Sequence, residues 1–219
     1  MRNIKTITIL LFLIAISLPL NSFTMSLVDK YRDIEIGDWV KLELTTGTIQ
    51  LLFVADRDES SVTIEVRESD RGFIVSWHQI VIDSVQKRAV LIREKDPVSG
   101  TVIEREPLED EGIDEVLRAE FIEVGTEKIS QTMQVPSEDG KELVEKKTRF
   151  NCVKYKSVIK FDEKRYIEMW YANEIPLYPV KVNVPGLNTT VRLVRHGSGR
   201  VSRFLPPEEE KVEETKPEE

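Results

Sequence analysis

Cysteine is nearly absent from this chain: Cys152 is the only one among 219 residues. A single thiol excludes any disulfide partner within the chain, so the ordered part must be stabilised by a buried core. Histidine is as scarce. His78 and His196 stand alone, with no HxxxH or paired-cysteine spacing near either, which leaves no zinc-ligand pattern and no metal or other cofactor to expect. The GxSxG, P-loop and GxGxxG patterns are all missing, so a nucleophile elbow and the common phosphate-cradling loops are excluded. RHGSGR at 195–200 has glycines but no helical pattern after it, and reads as a strand-end turn. Positive charge is short as well, with 31 Lys and Arg against 39 Asp and Glu, a formal net charge of −8. That balance argues against a nucleic-acid partner.

Long apolar runs are missing everywhere except at the start. MRNIKTITILLFLIAISLPLNSF places Arg2 and Lys5 ahead of an apolar stretch from Ile7 to Leu18, broken by Pro19. This is the layout of a secretory signal peptide, and the stretch is shorter than the roughly 20 residues of a membrane span. Residues 1–24 are therefore expected to direct export, with cleavage near residues 22–24 and a periplasmic or secreted product. No cysteine follows the run, so the lipid-acceptor residue of a bacterial lipoprotein is lacking. Removing Arg2 and Lys5 leaves 29 basic residues against 39 acidic ones, a mature net charge of about −10.

At the other end, PPEEEKVEETKPEE carries seven glutamates, two lysines and almost nothing apolar. Such a segment buries too little surface to offset its ordering entropy, so 205–219 is expected to be a disordered acidic tail. It is either a plain solvated tail or a dock for a basic partner. Between the two ends, residues 25–204 have the length of a single domain.

Most of that domain alternates with period two, the signature of strands with one buried face. In DWVKLELTTG, Val40, Leu42 and Leu44 face one way while Trp39, Lys41 and Glu43 face the other. SVTIEVRE repeats the pattern with Val62, Ile64 and Val66. GFIVSWHQIVID is apolar on both faces, as a strand covered on each side or an interposed short helix requires. DPVSG between two β-branched runs marks a hairpin, and PSEDGK marks another turn. LEDEGIDEVLRAEF predicts the one credible helix, with Ile113, Val116 and Leu117 on one face behind acidic first-turn residues and Gly112 as a weak point. Pro176, Pro179 and Pro185 restrict the closing strands to short or edge positions. The fold class expected is mainly β: a single curved antiparallel sheet or open half-barrel with one or two short helices.

Two readings of Cys152 stay open. In TRFNCVKYK, Lys154 and Lys156 share its strand face and would lower the thiol pKa at an exposed site, as reactivity requires. Alternatively the cysteine is a small packing residue, as buried cysteines commonly are. A dyad with His78 or His196 would make an envelope enzyme, but such constellations are recognised by geometry rather than by sequence. His78 beside Trp77 in an apolar run reads as a satisfied core histidine. NTT at 188–190 matches a glycosylation sequon, relevant only in a host that glycosylates there.

Three further features stand together: the GDWV strand opening, the Phe150-x-Cys152-x-x-Tyr155 strand, and the Trp strand MWYANEIPLYPVKV followed by the closing strand TTVRLVRHGSG. Together they resemble a loose group of exported bacterial β-proteins of unknown function, which look like the curved sheet of the periplasmic lipoprotein carrier. The resemblance covers about residues 38–199. Where members often carry a glycine turn before the cysteine strand, this chain has KKTRF. The resemblance implies a half-barrel whose apolar concavity holds a lipid or other hydrophobic ligand, with Trp77, Phe150, Trp170 and Tyr171 as lining candidates. A packed core uses the same four residues equally well. No catalytic residue transfers. The expected function is a non-enzymatic exported protein that binds a hydrophobic ligand, or an interaction module with a filled core that binds an envelope protein partner.

Overall fold

A computed structural model of the chain describes residues 24–26, 29, 31, 34–111, 113–158, 166–175, 177–183 and 191–204. The expected leader up to residue 23, the acidic tail from residue 205, the sequon at 188–190, Gly112, Pro176 and Pro185 lie outside those residues.

Alternating strands with polar connections produce one antiparallel sheet. Its strands in chain order are β1 (Thr24–Ser26), β2 (Trp39–Leu44), β3 (Ile49–Arg57), β4 (Ser61–Asp70), β5 (Phe73–Asp83), β6 (Arg88–Lys95) and β7 (Val102–Arg105). After a 3₁₀ turn at Glu109–Glu111 and the short helix α1 (Ile113–Leu117) come β8 (Glu120–Pro136), β9 (Leu143–Val158), β10 (Tyr166–Ala172), β11 (Lys181–Asn183) and β12 (Val191–Gly197). Across the sheet the order is β1-β8-β9-β10-β11-β12-β2-β3-β4-β5-β6-β7. The fold is mainly β, a single open sheet, as the alternation requires.

The turns follow from their residues. Asp96 accepts from the amides of Val98 and Ser99 at 2.8 and 2.7 Å in the β6–β7 hairpin, and Gly100 takes φ +75°. Ser137 and Asp139 organise the β8–β9 turn, where the Ser137 hydroxyl donates to the carboxylate at 2.6 Å. The predicted helix is realised only as the 3₁₀ turn and α1, with Ile113 and Leu117 buried. GFIVSWHQIVID is one continuous strand, so the interposed helix does not form.

Register puts the apolar positions on one side: Val40 pairs with Leu52, Leu52 with Val66, Ile64 with Ile80, and Ile80 with Ile92. All are buried, and each contributes roughly 1.5–3 kcal/mol by leaving water. The sheet is curved. β8 touches β12 although three strands separate them, a gap of about 19 Å in a flat sheet. One apolar cluster therefore joins β2–β6 to β8–β10 and α1. Among the described residues no helix is long and apolar enough to cross a membrane.

Candidate functional site

The four aromatic residues singled out from the sequence do not meet around one concavity. Trp170 and Tyr171 are consecutive on β10 and so point to opposite sides of it. Tyr171 and Phe150 are 4 % exposed and belong to the core cluster. Tyr171 meets the Tyr155 ring edge-on at 6.0 Å, and Phe150 meets the His196 ring at 6.5 Å. Trp170 is closed over by the stems of its cross-strand neighbours: Lys154 Nζ lies 4.8 Å and Lys181 Nζ 4.4 Å from its ring centroid. Its indole N–H donates to Glu127 at 2.7 Å. Trp77 is on the far side of the sheet from the core.

Cys152 is 1 % exposed, opposite Ala172 of β10 and Glu127 of β8. Burial, then the nearby carboxylates Glu174 and Glu127, push its thiol up to about 11. Neither lysine activates it. Lys154 is ion-paired to Glu168 at 2.7 Å, and Lys156 lies over the Tyr166 ring at 3.9 Å. These neighbours make Cys152 a packing residue. His78 lies on β5 between Val66 and Glu94 in register, far in the strand order from β9.

Clefts open to solvent occur among the described residues, two of them with charged walls. One of about 710 Å³ lies between β6, the 106–109 segment and α1, with Arg88, Glu106, Glu109, Asp114 and Arg118 among its walls. One of about 250 Å³ is bounded by Asp38, Trp39, Glu174 and His196. Both carry charge where a lipid site needs an apolar lining. No group of His, Cys, Asp and Glu among the described residues is arranged to hold a metal.

The most organised polar structure is on the outer face of β3–β6. Because Val62, Ile64 and Val66 of β4 point into the core, Glu65 points outward, yet it is 0 % exposed. It is covered by residues 198–204, the segment that runs back across the sheet after β12. Four donors converge on its carboxylate: the Trp77 indole N–H at 2.6 Å, the Ser202 hydroxyl at 2.6 Å, the Gln79 amide at 3.2 Å and Arg67 at 3.3 Å. The Trp77 ring is clamped by cations on two sides, with Arg67 Cζ 4.0 Å and Lys95 Nζ 4.5 Å from its centroid. Phe204 closes a third side edge-on at 5.7 Å.

The crossing segment is tied down along its length. The Arg200 amide donates to the Gly37 carbonyl at 3.0 Å, and Lys95 donates to the carbonyls of Arg203 and Phe204. Arg200 lies over the Phe53 ring at 5.5 Å. Burial, with the neighbouring charge of Arg67, lowers the Arg200 guanidinium from its ordinary value, Glu65 raises it, and Arg203 lowers it further. Positive charge thus exceeds the single buried carboxylate on this face. Arg93, at its margin, is already neutralised by Glu104 at 2.7 Å. An aromatic and arginine surface held rigid by buried hydrogen bonds is chemically suited to binding an anionic group without reorganising.

Sequence reasoning named Trp77 but none of its partners. Glu65 occupies an ordinary outward position in an alternating strand, and Ser202 lies 137 positions away. The one local signal is a tryptophan and an arginine opposite each other on an otherwise solvent-facing side.

No protein-family model and no curated protein matches the chain. Among solved structures it is similar to the hypothetical protein CT021 from Chlamydia trachomatis. The TM-score is 0.58 at 10% identity, over 83% of this chain and 96% of that one. At that identity the likeness establishes a common fold and says nothing of activity.

Proposed function

We propose that this is a non-enzymatic, exported protein that works at the cell envelope as an interaction module: its interior is a core of its own side chains, and its outer sheet face receives an anionic protein partner. The observation that carries the reading is the placement of the aromatics. Phe150 and Tyr171, which would line a lipid cavity, are packed into one continuous apolar cluster, whereas Trp77 is presented on the other side between two cations. Tryptophan and arginine held in fixed rotamers are the residue types that dominate binding energy at protein interfaces. The export signal read from residues 1–24 supplies the compartment. A lipoprotein-carrier-like role would need an open apolar concavity, whereas the two clefts described above both have charged groups in their walls.

The test is to purify the exported form and weigh it by native mass spectrometry, then to use it as bait in envelope extracts beside an Arg200→Glu/Arg203→Glu variant. The expected result is the mass of the polypeptide alone and a partner that the wild type retains and the variant loses. Stoichiometric lipid in the native spectrum would overturn the reading in favour of a carrier.

A further inference from the structure

The cleft beside β6 lies where one strand of the sheet stops short of its neighbour. We infer that the outer edge of β6 over Arg88–Leu91 binds a short extended peptide, which lies antiparallel to β6 in line with β7 and ends with its free carboxylate at Arg88. This goes beyond the function proposed above and uses a different part of the sheet.

Three observations carry it. The first is an unpaired strand edge. β7 pairs with β6 only from Val102 opposite Lys95 to Arg105 opposite Ile92, so among the described residues no strand lies beside Arg88–Leu91. The sequence after β7 accounts for the stop. Pro107 has no amide to give a ladder, and the chain turns away into the 3₁₀ turn, where Glu111 pairs with Arg105 at 2.6 Å. The edge left behind still takes acceptors: the Ala89 amide donates to the Asp114 carboxylate of α1 at 2.9 Å, in place of a strand carbonyl.

The second is room. The cleft of about 710 Å³ opens along this same edge, with Arg88 and Val90 of β6 facing Glu106, Pro107 and Leu108. Four residues of strand span about 13 Å, so a peptide of three or four residues matches the open length. The volume is that of an ordinary ligand pocket.

The third is the order of the charges. A strand that continues the direction of β7 passes Glu106, one residue beyond Arg105, and reaches Arg88 last. Glu106 thus flanks the end where the peptide's ammonium group enters, and Arg88 the end where its carboxylate arrives. Arg88 is exposed and its guanidinium has no partner among the described residues. Arg118, also in the wall, is already ion-paired to Asp114 at 3.6 Å. Main-chain hydrogen bonds to the edge supply affinity, and the charged ends set direction.

The experiment titrates the purified protein with the tetrapeptide Lys-Val-Thr-Val and follows the backbone amide resonances of Val90 and Leu91. Saturable shifts at both residues are expected. Amidating the peptide's carboxyl end should weaken binding about tenfold, the worth of one charge-assisted hydrogen bond. Arg88→Gln should weaken the free-acid peptide by a similar factor and abolish its advantage over the amide. The same peptide methylated at every peptide nitrogen keeps its side chains and end charges but cannot donate to a strand, and should not bind. Unmoved Val90 and Leu91 resonances at millimolar peptide, undiminished binding of the methylated peptide, or equal affinity for the acid and the amide would each overturn the inference. None of these readouts involves Trp77, a lipid or a captured partner, so this proposal and the functional one fail separately.

Discussion

Trp77 donates its indole N–H to Glu65 at 2.6 Å across two neighbouring strands, and Glu65 is completely removed from solvent. A buried carboxylate is costly unless its lone pairs are filled, and here Ser202, Gln79 and Arg67 fill the rest. Glu65 is therefore the pin that joins the 198–204 segment to the sheet. The same contacts hold the Trp77 ring in one orientation beneath its two cations. A surface that a partner must recognise gains from such rigidity, because little side-chain freedom is lost on binding.

Removing the carboxylate leaves an indole N–H, a hydroxyl and an amide without their acceptor. Glu65→Ala is expected to lower unfolding stability by about 3–5 kcal/mol. Glu65→Gln, which keeps one acceptor oxygen, is expected to cost about 1–2 kcal/mol. Urea unfolding followed by tryptophan fluorescence measures both, and equal losses in the two variants would show that the full carboxylate, rather than side-chain shape and one acceptor oxygen, is what matters at this position.

The clamp on Trp77 is a pairwise interaction and can be isolated as one. In a double-mutant cycle, Trp77→Ala and Arg67→Ala are expected to couple by about 0.5–2 kcal/mol, the range for a cation over an indole that is partly shielded from water. Trp77→Phe loses the N–H donor and part of the ring but keeps an aromatic face, so its coupling to Arg67 should survive in reduced form. Additive single losses in the cycle would mean that the two side chains are neighbours without mutual attraction.

Gly37 and Gly47 both have positive φ, +89° and +83°, but their surroundings differ. A Cβ at Gly37 would lie 3.0 Å from the backbone nitrogen and oxygen of Arg200, whereas nothing lies within 4 Å of one at Gly47. Gly47→Ala should cost about 1–2 kcal/mol, the left-handed backbone penalty alone. Gly37→Ala should cost more, because it pushes the crossing segment off the sheet, and it should also shift the Trp77 indole resonance. A Gly37 variant no less stable than the Gly47 one would show that the 198–204 segment yields freely.

The parts of the fold legible in sequence are those decided by adjacent residues. DWVKLEL and SVTIEVRE alternate because one face of each strand is buried, and both appear with the expected sides inward. The hairpin at Asp96 and the turn at Asp139 were legible for the same reason, since the capping carboxylates act within three residues. What sequence concealed is long-range. Glu65 looks like any solvated outward residue until Ser202 closes over it, and Trp170 and Tyr171 look like two walls of one pocket until β10 turns them apart. The helix predicted over LEDEGIDEVLRAEF shortened to α1 because the preceding residues form a 3₁₀ turn instead, in which Glu111 pairs with Arg105 at 2.6 Å and accepts from the Leu108 amide at 2.9 Å.

Alkaline titration tests the packing reading of Cys152 together with the buried tyrosines. Burial raises the thiol from 9.0 to about 11 and Tyr31 from 10.0 to about 12, and it raises Tyr171 and Tyr178 as well. Each group holds its proton longer in the folded chain than in the unfolded one. Between its unfolded and folded pKa values the folded state binds more protons, so stability falls as pH rises, by up to about 1.4 kcal/mol per group for each pH unit crossed. Below pH 9 these contributions are fully present. From pH 9 to 11 the thiol's share is lost, and from pH 10 to 12 that of Tyr31. Unfolding stability should therefore decline steeply above pH 9, and phenolate absorbance from the buried tyrosines should appear with unfolding rather than before it. At pH 8 the native thiol should alkylate about a hundredfold more slowly than in denaturant, because the rise from 9.0 to about 11 cuts its thiolate fraction by about that factor. Rapid native alkylation at pH 8 would show instead that Cys152 is a reactive group.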